Sequence, residues 1–295
     1  MEAAAETAVC DELSELLGAR LAPSPVARIR GGCISDAYRW YAGHTPLFVK
    51  VGPARAADAL QAEAAGLDEL RGANAVRVPR VLAVGKAASA AFLALEWIEF
   101  SSSSRAAETL LGEQLARQHR ITAEKFGWHR DNTIGSTPQL NERTASWVEF
   151  FRERRLRYQL DLARRNGYGG PLQEEGAALL ERLPAFFEGY DPKPSLLHGD
   201  LWGGNWAADP SGAPVIFDPA VYYGDREADL AMTRLFGGFG QAFHAAYESA
   251  WPLEGGAAAR VTLYNLYHVL NHLNLFGAGY LLQARGMISR LLASL

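Results

Sequence analysis

Lysine is scarce in this chain: of 29 basic residues only Lys50, Lys86, Lys125 and Lys193 are lysines. A chain that otherwise chooses arginine gives reason to look for chemistry where it keeps a compact ammonium instead of a planar guanidinium. Cysteine is almost missing too, and Cys10 and Cys33 cannot build the multi-bridge framework of a small secreted domain. No apolar run nears the roughly 18 residues that a membrane helix needs. The acidic start MEAAAETAVCDELSELLGARL lacks the basic n-region and apolar core of a signal peptide. There is no basic surplus either. Charged residues are 21% and the net charge is −4, which argues against a nucleic-acid partner. The expectation is a cytoplasmic protein with neither nucleic-acid nor membrane partners.

What is present is enough apolar residue, 48% of 295, to bury one large core or two modest ones. Residues 5–20 read as an opening helix, with Leu13, Leu16 and Leu17 at helical spacing. Strand-like runs follow, VARIRGG, AYRWYA, PLFVKVG, VRVPRVLAVG and AFLALEWIEF, interrupted by a helical segment at 56–70. Beyond the serine run at 101–104, which marks a boundary, the text reads as helical almost throughout, with loops around 126–142 and 190–225. A small β-rich lobe over 1–97 and a larger α-helical lobe over 98–295 make an α+β, bilobal layout.

Chemistry concentrates in LLHGDLWGGNWA, residues 196–207, and in VIFDPA, residues 215–220. Protein kinases carry H-R-D, then an Asn, then a strand-borne Asp before a turn. Here His198-Gly199-Asp200 stands for the first part, Asn205 falls five residues after Asp200, and Asp218 ends an apolar run. In that pattern Asp200 accepts a hydroxyl proton, while Asn205 and Asp218 hold the Mg²⁺ that neutralises the phosphates of ATP. His198 reads as structural, since no metal-ligand spacing surrounds it. Asp218-Pro219-Ala220 replaces D-F-G and leaves no Phe to swing in and out, so activation switching of the protein-kinase kind is not expected.

Gly31 and Gly32, followed by Cys33 and Ser35, lie between two strand-like runs. Adjacent glycines there are commonly a hairpin turn, but they also let backbone amides approach phosphate. Lys50 closes Leu47-Phe48-Val49-Lys50, where alternation sets Leu47, Val49 and Val51 on one face and Phe48 and Lys50 on the other. A charge in an apolar strand is usually at an edge. Its place some eighteen residues after the glycine pair matches the V-A-I-K lysine instead. On a helical wheel with Leu60 at zero, Leu67, Leu70 and Glu63 fall at about −20°, −80° and −60°, with Glu69 opposite. An acid on the buried stripe needs a cation, and Lys50 is the candidate. Glu96, Trp97 and Ile98 then form the interlobe hinge facing adenine.

Asp225, Glu227 and Asp229 read as a solvated helix start favoured by the helix dipole, with Asp229 anchoring the catalytic loop. His268 and His272 have the spacing of a helical zinc pair but no third ligand, and buried hydrogen-bonded histidines are the preferred reading.

HGDLWGGN, DPAVYYGDREADLAM, LFGGF, YNLYHVLNHLNLFGAGY, GGCIS and FGW..DNTIGSTPQLN together resemble the fructosamine/ketosamine kinase family over essentially the whole chain. The resemblance implies a protein-kinase-like fold related to the aminoglycoside phosphotransferases. It also implies ATP and Mg²⁺ as cofactors, and transfer of a phosphoryl group to the 3-hydroxyl of a small-molecule or protein-bound ketosamine, a deglycation step. Gly203 departs from the Ser that the family often carries. By position Trp202 packs near the sugar, and Asp131 and Asn132 are polar candidates for the acceptor pocket or its bracing. The family's Cys at position 33 implies a monomer or a redox-linked homodimer. The alternatives are an aminoglycoside- or choline-kinase-like enzyme and a non-catalytic, nucleotide-binding redox regulator.

Overall fold

The computed structural model describes residues 3–25, 27–29 and 36–295. Gly31, Gly32, Cys33 and Ser35, read above as a phosphate loop, lie outside the described residues. The chain opens with α1 (Ala3–Leu17), β1 (Ala27–Ile29), β2 (Asp36–Ala42), β3 (Thr45–Pro53), α2 (Ala57–Gly72), β4 (Val81–Ala87) and β5 (Ala90–Glu96). The strands form one antiparallel sheet in the order β1-β2-β3-β5-β4. β3 is therefore interior, and Lys50 is not on an edge. Its alternation is strict: Leu47, Val49 and Val51 are buried with Val9 and Leu13 of α1, together with Trp40 and Phe92. The other face of the sheet, with Leu93 and Leu95, packs on Leu60, Leu67 and Leu70 of α2 and joins the core of the helical lobe.

Residues 97–104 cross to α3 (Arg105–His119). The serine run does two jobs there. Ser104 caps α3 by accepting Ala107 N–H at 3.2 Å, worth about 1 kcal/mol, and Ser101 donates to Asp209 O at 2.8 Å. Next come a hairpin of β6 (Asn132–Ile134) and β7 (Thr137–Gln139) and a long helical run. That run is α4 (Trp147–Phe150), a π-helical stretch at Phe151–Arg157 and α5 (Tyr158–Arg165). α6 (Pro171–Arg182) starts on a proline, which gives up only an N–H that had no partner. β8 (Ser195–Leu197), β9 (Trp206–Ala208), β10 (Pro214–Ile216) and β11 (Tyr222–Gly224) follow. α7 (Glu227–Leu235), α8 (Gln241–Ala250), α9 (Ala257–Phe276) and α10 (Leu281–Ala293) complete the chain.

The two stretches expected to be loops are thus built on ribbons: β6 with β7, β9 with β10, and β11 with β8. Each strand has three residues, too few to print a period-two pattern in sequence. Among the described residues, no helix is long and apolar enough to cross a membrane.

Candidate active site

A cleft of about 770 Å³ lies between the sheet and the helical lobe. Lys50 enters it from the middle of β3 and donates to Glu63 Oε1 at 2.8 Å and to Asp218 Oδ1 at 2.7 Å. Glu63 comes from the face of α2 that the helical wheel indicated. The Lys50 and Glu63 side chains are only 14% and 16% exposed. Burial works against the ammonium, but the two carboxylates outweigh it and hold Lys50 charged well above its ordinary range.

Asp200, Asn205 and Asp218 meet across the cleft. Asn205 Nδ2 donates to Asp200 O at 2.8 Å, to Asp200 Oδ2 at 3.2 Å and to Asp218 O at 3.4 Å. Burial, then the charge of Asp218, push the Asp200 carboxyl up to about 7, against the hydrogen bond from Asn205. Asp218 adopts φ 57°, a left-handed conformation that costs a non-glycine residue about 1–3 kcal/mol. Its surroundings impose it. Phe217 N donates to Asn205 O at 3.1 Å and Ala220 N to His198 O at 2.9 Å. Gln139 Nε2 donates to Ala220 O at 3.1 Å and Asn132 Nδ2 to Val221 O at 2.8 Å.

Beneath this loop lies Asp229. It accepts His198 N–H at 2.7 Å, Gly199 N–H at 2.9 Å and His119 Nε2 at 3.1 Å. Burial opposes its charge, yet these partners hold the carboxyl below its usual range. His198 Nε2 donates to Phe217 O at 3.0 Å, which leaves Nδ1 to accept Asp200 N–H at 3.3 Å. Glu96, Trp97 and Ile98 line the cleft where β5 ends. The Glu96 carboxylate faces Arg77 at 3.8 Å, and Trp97 lies beneath the Arg39 guanidinium at 4.5 Å.

The two acceptor-side candidates separate. Asn132 is buried and lines the cleft, whereas Asp131 accepts Asn141 N–H at 2.7 Å and is not among the lining residues. Trp202 is 40% exposed at the cleft, and its ring lies so close to Gly204 that an added Cβ there would sit 2.3 Å from it.

A sequence model of the family described as "Fructosamine kinase" matches residues 5–294. The chain belongs to the fructosamine kinase family. It is 43% identical over 285 residues to a protein named as a probable ketoamine kinase of Synechocystis sp., covering 96% of each. It is 40% identical over 266 residues to a chloroplastic protein-ribulosamine 3-kinase of Oryza sativa subsp. japonica, covering 89% of this chain and 77% of that one. The crystal structure of a candidate fructosamine-3-kinase from Thermobifida fusca superposes with a TM-score of 0.87 at 34% identity, covering 97% and 99% of the two chains. A thermostable aminoglycoside phosphotransferase in complex with ADP and hygromycin B superposes at 0.67 over 98% and 99%; at 16% identity it shows the fold alone. That fold is the bilobal, protein-kinase-like one, and the enzyme is an ATP-dependent phosphotransferase acting on a hydroxyl.

Several residues of this fructosamine kinase family member stand differently from their reading in sequence. Asp225 and Glu227 are not a solvated helix start but are 0% and 1% exposed. Glu227 pairs bidentately with buried Arg260 at 2.8 and 2.9 Å, and Asp225 accepts the hydroxyls of Tyr190 and Tyr264. Local acid spacing cannot reveal an arginine 33 residues away. Sequence reasoning also missed Phe100 and Phe217, stacked at 5.2 Å in the cleft wall, and the buried Tyr267, whose hydroxyl donates to Gln139 Oε1 at 2.8 Å under the Arg155 guanidinium at 5.7 Å. Apolar residues in a strand or loop carry no signal separating wall from core. His268 is buried and His272 stacks on Phe236 at 4.8 Å; among the described residues no three His, Cys, Asp or Glu side chains gather for a metal.

Proposed function

We propose that this kinase transfers the γ-phosphoryl group of ATP to the 3-hydroxyl of a ketosamine, free or protein-bound, and so begins removal of the sugar from its amine. Family membership supports the substrate class. The chemistry rests on one observation: Lys50, Asp200, Asn205 and Asp218, from β3 and two separate loops, converge on a single cleft. Lys50, braced by Glu63, binds the non-transferred phosphates. Asp200 accepts the hydroxyl proton, a role suited to a carboxyl whose pKa lies near neutrality. Asn205 and Asp218 fit Mg²⁺. Among the described residues, Asp218 Oδ2 and Asn205 Oδ1 receive no hydrogen bond. One carboxylate and one carboxamide suit a cation that completes its shell with water and phosphate oxygens. Mg²⁺ bound there supplies neutralisation of charge developing on the phosphates. A lobe boundary at residues 97/98, a cytoplasmic setting, and a monomer or redox-linked homodimer with Cys33 as the redox candidate belong to the same proposal.

A cation-selective pocket of the aminoglycoside- or choline-kinase kind would need acids free to meet an amine. Of the acids that line this cleft, Glu63, Asp200 and one oxygen of Asp218 are engaged by Lys50 or Asn205, Glu96 faces Arg77 at 3.8 Å, and Glu99 faces Arg39 at 3.6 Å and accepts the Trp97 indole N–H at 2.7 Å. The test is ATP consumption with a panel of fructosamine, ribulosamine, aminoglycoside and choline acceptors. The expected result is Mg²⁺-dependent turnover of a ketosamine. Asp200→Ala is expected to lower that turnover by about 10²–10⁴-fold while ADP binding by calorimetry persists. Turnover confined to choline or an aminoglycoside rejects the substrate, and an unaffected Asp200→Ala enzyme rejects the base.

A further inference from the structure

Helix α2 carries Glu63 and thereby sets where Lys50 stands. Away from the cleft the same helix is tied to the helical lobe at three levels. Near its start, Asp58 accepts Arg130 Nη2 at 2.7 Å. In its middle, Gly66 lies against Val221, where an added Cβ would come within 3.2 Å of Cγ2. Near its end, Glu69 Oε1 accepts the Tyr223 hydroxyl at 2.7 Å and Oε2 faces the Trp128 indole N–H at 3.5 Å. At about 100° per residue, Asp58 and Glu69 lie within roughly 20° of each other and about 140° and 120° respectively from Glu63. One side of the helix thus grips Lys50 while another grips the lobe below.

The three ties differ in strength. Asp58 is 88% exposed, so its ion pair contributes little. Glu69 and Tyr223 are half-buried, and a hydroxyl donating to a carboxylate is a charge-assisted bond, about twice as strong as a neutral one. Tyr223 is also held from behind, because it exchanges two 2.9 Å backbone hydrogen bonds with Gly127. It lies on β11, five residues after Asp218, so one short stretch of chain carries both Asp218 and the hydroxyl that fastens α2.

We propose that the Glu69–Tyr223 hydrogen bond is a latch, and that both are positioning residues which keep Glu63, and through it Lys50, set for the nucleotide. This rests on the reading of Lys50 as a phosphate-binding residue. It explains how α2 stays engaged without a mobile D-F-G phenylalanine: the helix is fastened to the segment that follows Asp218.

The test uses the full-length enzyme, with ATP varied at saturating acceptor and ADP binding measured by calorimetry. Tyr223→Phe and Glu69→Ala are expected to raise the KM for ATP and the Kd for ADP by about fivefold to tenfold, with the acceptor KM moving less than about twofold. Glu69→Gln, which keeps an oxygen for the hydroxyl, should return both constants to within about twofold of wild type. In a Glu63→Gln background, where nothing remains to be positioned, Tyr223→Phe should add less than about twofold. Nucleotide constants that stay unchanged in Tyr223→Phe, or nucleotide and acceptor constants that move together, would overturn the latch. So would full additivity with Glu63→Gln. Lys50→Ala checks the underlying reading separately. An unchanged KM for ATP in that variant removes the Lys50 assignment and the latch with it, whereas a raised KM there alongside a silent Tyr223→Phe removes the latch alone.

Discussion

Gly199 shows how little room the loop at 198–205 leaves its own backbone. It sits at φ 83°, and a Cβ on it would lie 2.0 Å from Ala220 O, the carbonyl that Gln139 also holds. Its N–H is bound by Asp229 and its neighbour is Asp200. Gly199→Ala therefore cannot be absorbed by a side-chain rotation; the loop must move away from residues 218–221. Misplacement of reacting groups by about 1 Å costs on the order of 10²-fold in rate. The expected outcome is a folded protein with turnover reduced by at least about that factor, checked by urea denaturation beside steady-state kinetics. Wild-type turnover would contradict the assigned geometry. At this scale Lys50, Asp200, Asn205 and Asp218 were readable as residue types in a kinase spacing. The left-handed backbone of Asp218 was not, because the contacts that impose it come from the β6–β7 hairpin and from His198, outside its own stretch of chain.

At the scale of elements, the start of α7 is the clearest case of a local rule overridden. Acids in a first turn usually face water and the helix dipole, yet Asp225, Glu227 and Asp229 are all buried. Each is answered by a partner from elsewhere: two tyrosines, Arg260 of α9, and the backbone of the 198–205 loop with His119 of α3. Arg260 also donates to Phe186 O and Gly255 O and lies 3.7 Å over the Tyr190 ring. Arg260→Met would leave Glu227 charged and unpaired in the core, and breaking a buried pair in this way costs about 3–5 kcal/mol. Urea denaturation should show that loss, and Arg260→Met combined with Glu227→Leu should recover much of it. A single variant as stable as wild type would mean that the pair does not hold α7 to α9. Elements with a strong period, such as β3 and α2, were legible in sequence. The three-residue strands were not, since so short a segment has no period to show.

The whole molecule carries its pH response in its histidines. His119, His198 and His268 are buried, and burial lowers the pKa of all three, that of His268 to about 3. In the unfolded chain each protonates near pH 6.5. A depressed folded pKa means stability that is present above about 6.5 and lost as pH falls toward the folded value. Asp200 and Asp225 act in the opposite sense, for burial raises them to about 7 and about 6. What they contribute is present below the ordinary carboxylate pKa and fades as pH rises. His244 and His272 are lowered by burial as well, and with them five histidines outnumber the three raised carboxylates Glu63, Asp200 and Asp225, so below about pH 6.5 the unfolded chain takes up the more protons. The urea midpoint should therefore fall between pH 6.5 and 5, and His268→Asn should flatten the fall; a midpoint that rises toward pH 5 would reverse the assignment. The chemistry and the two-lobed plan were present in the sequence alone, because residue type, motif spacing and the alternation of a long strand are properties of contiguous chain. Which charges are buried, and what neutralises them, was decided only by the tertiary structure. Lys50 meets Asp218 from 168 residues away and Glu69 meets Tyr223 from 154. Desolvation and pairing depend on distance through space, and no window of sequence measures that.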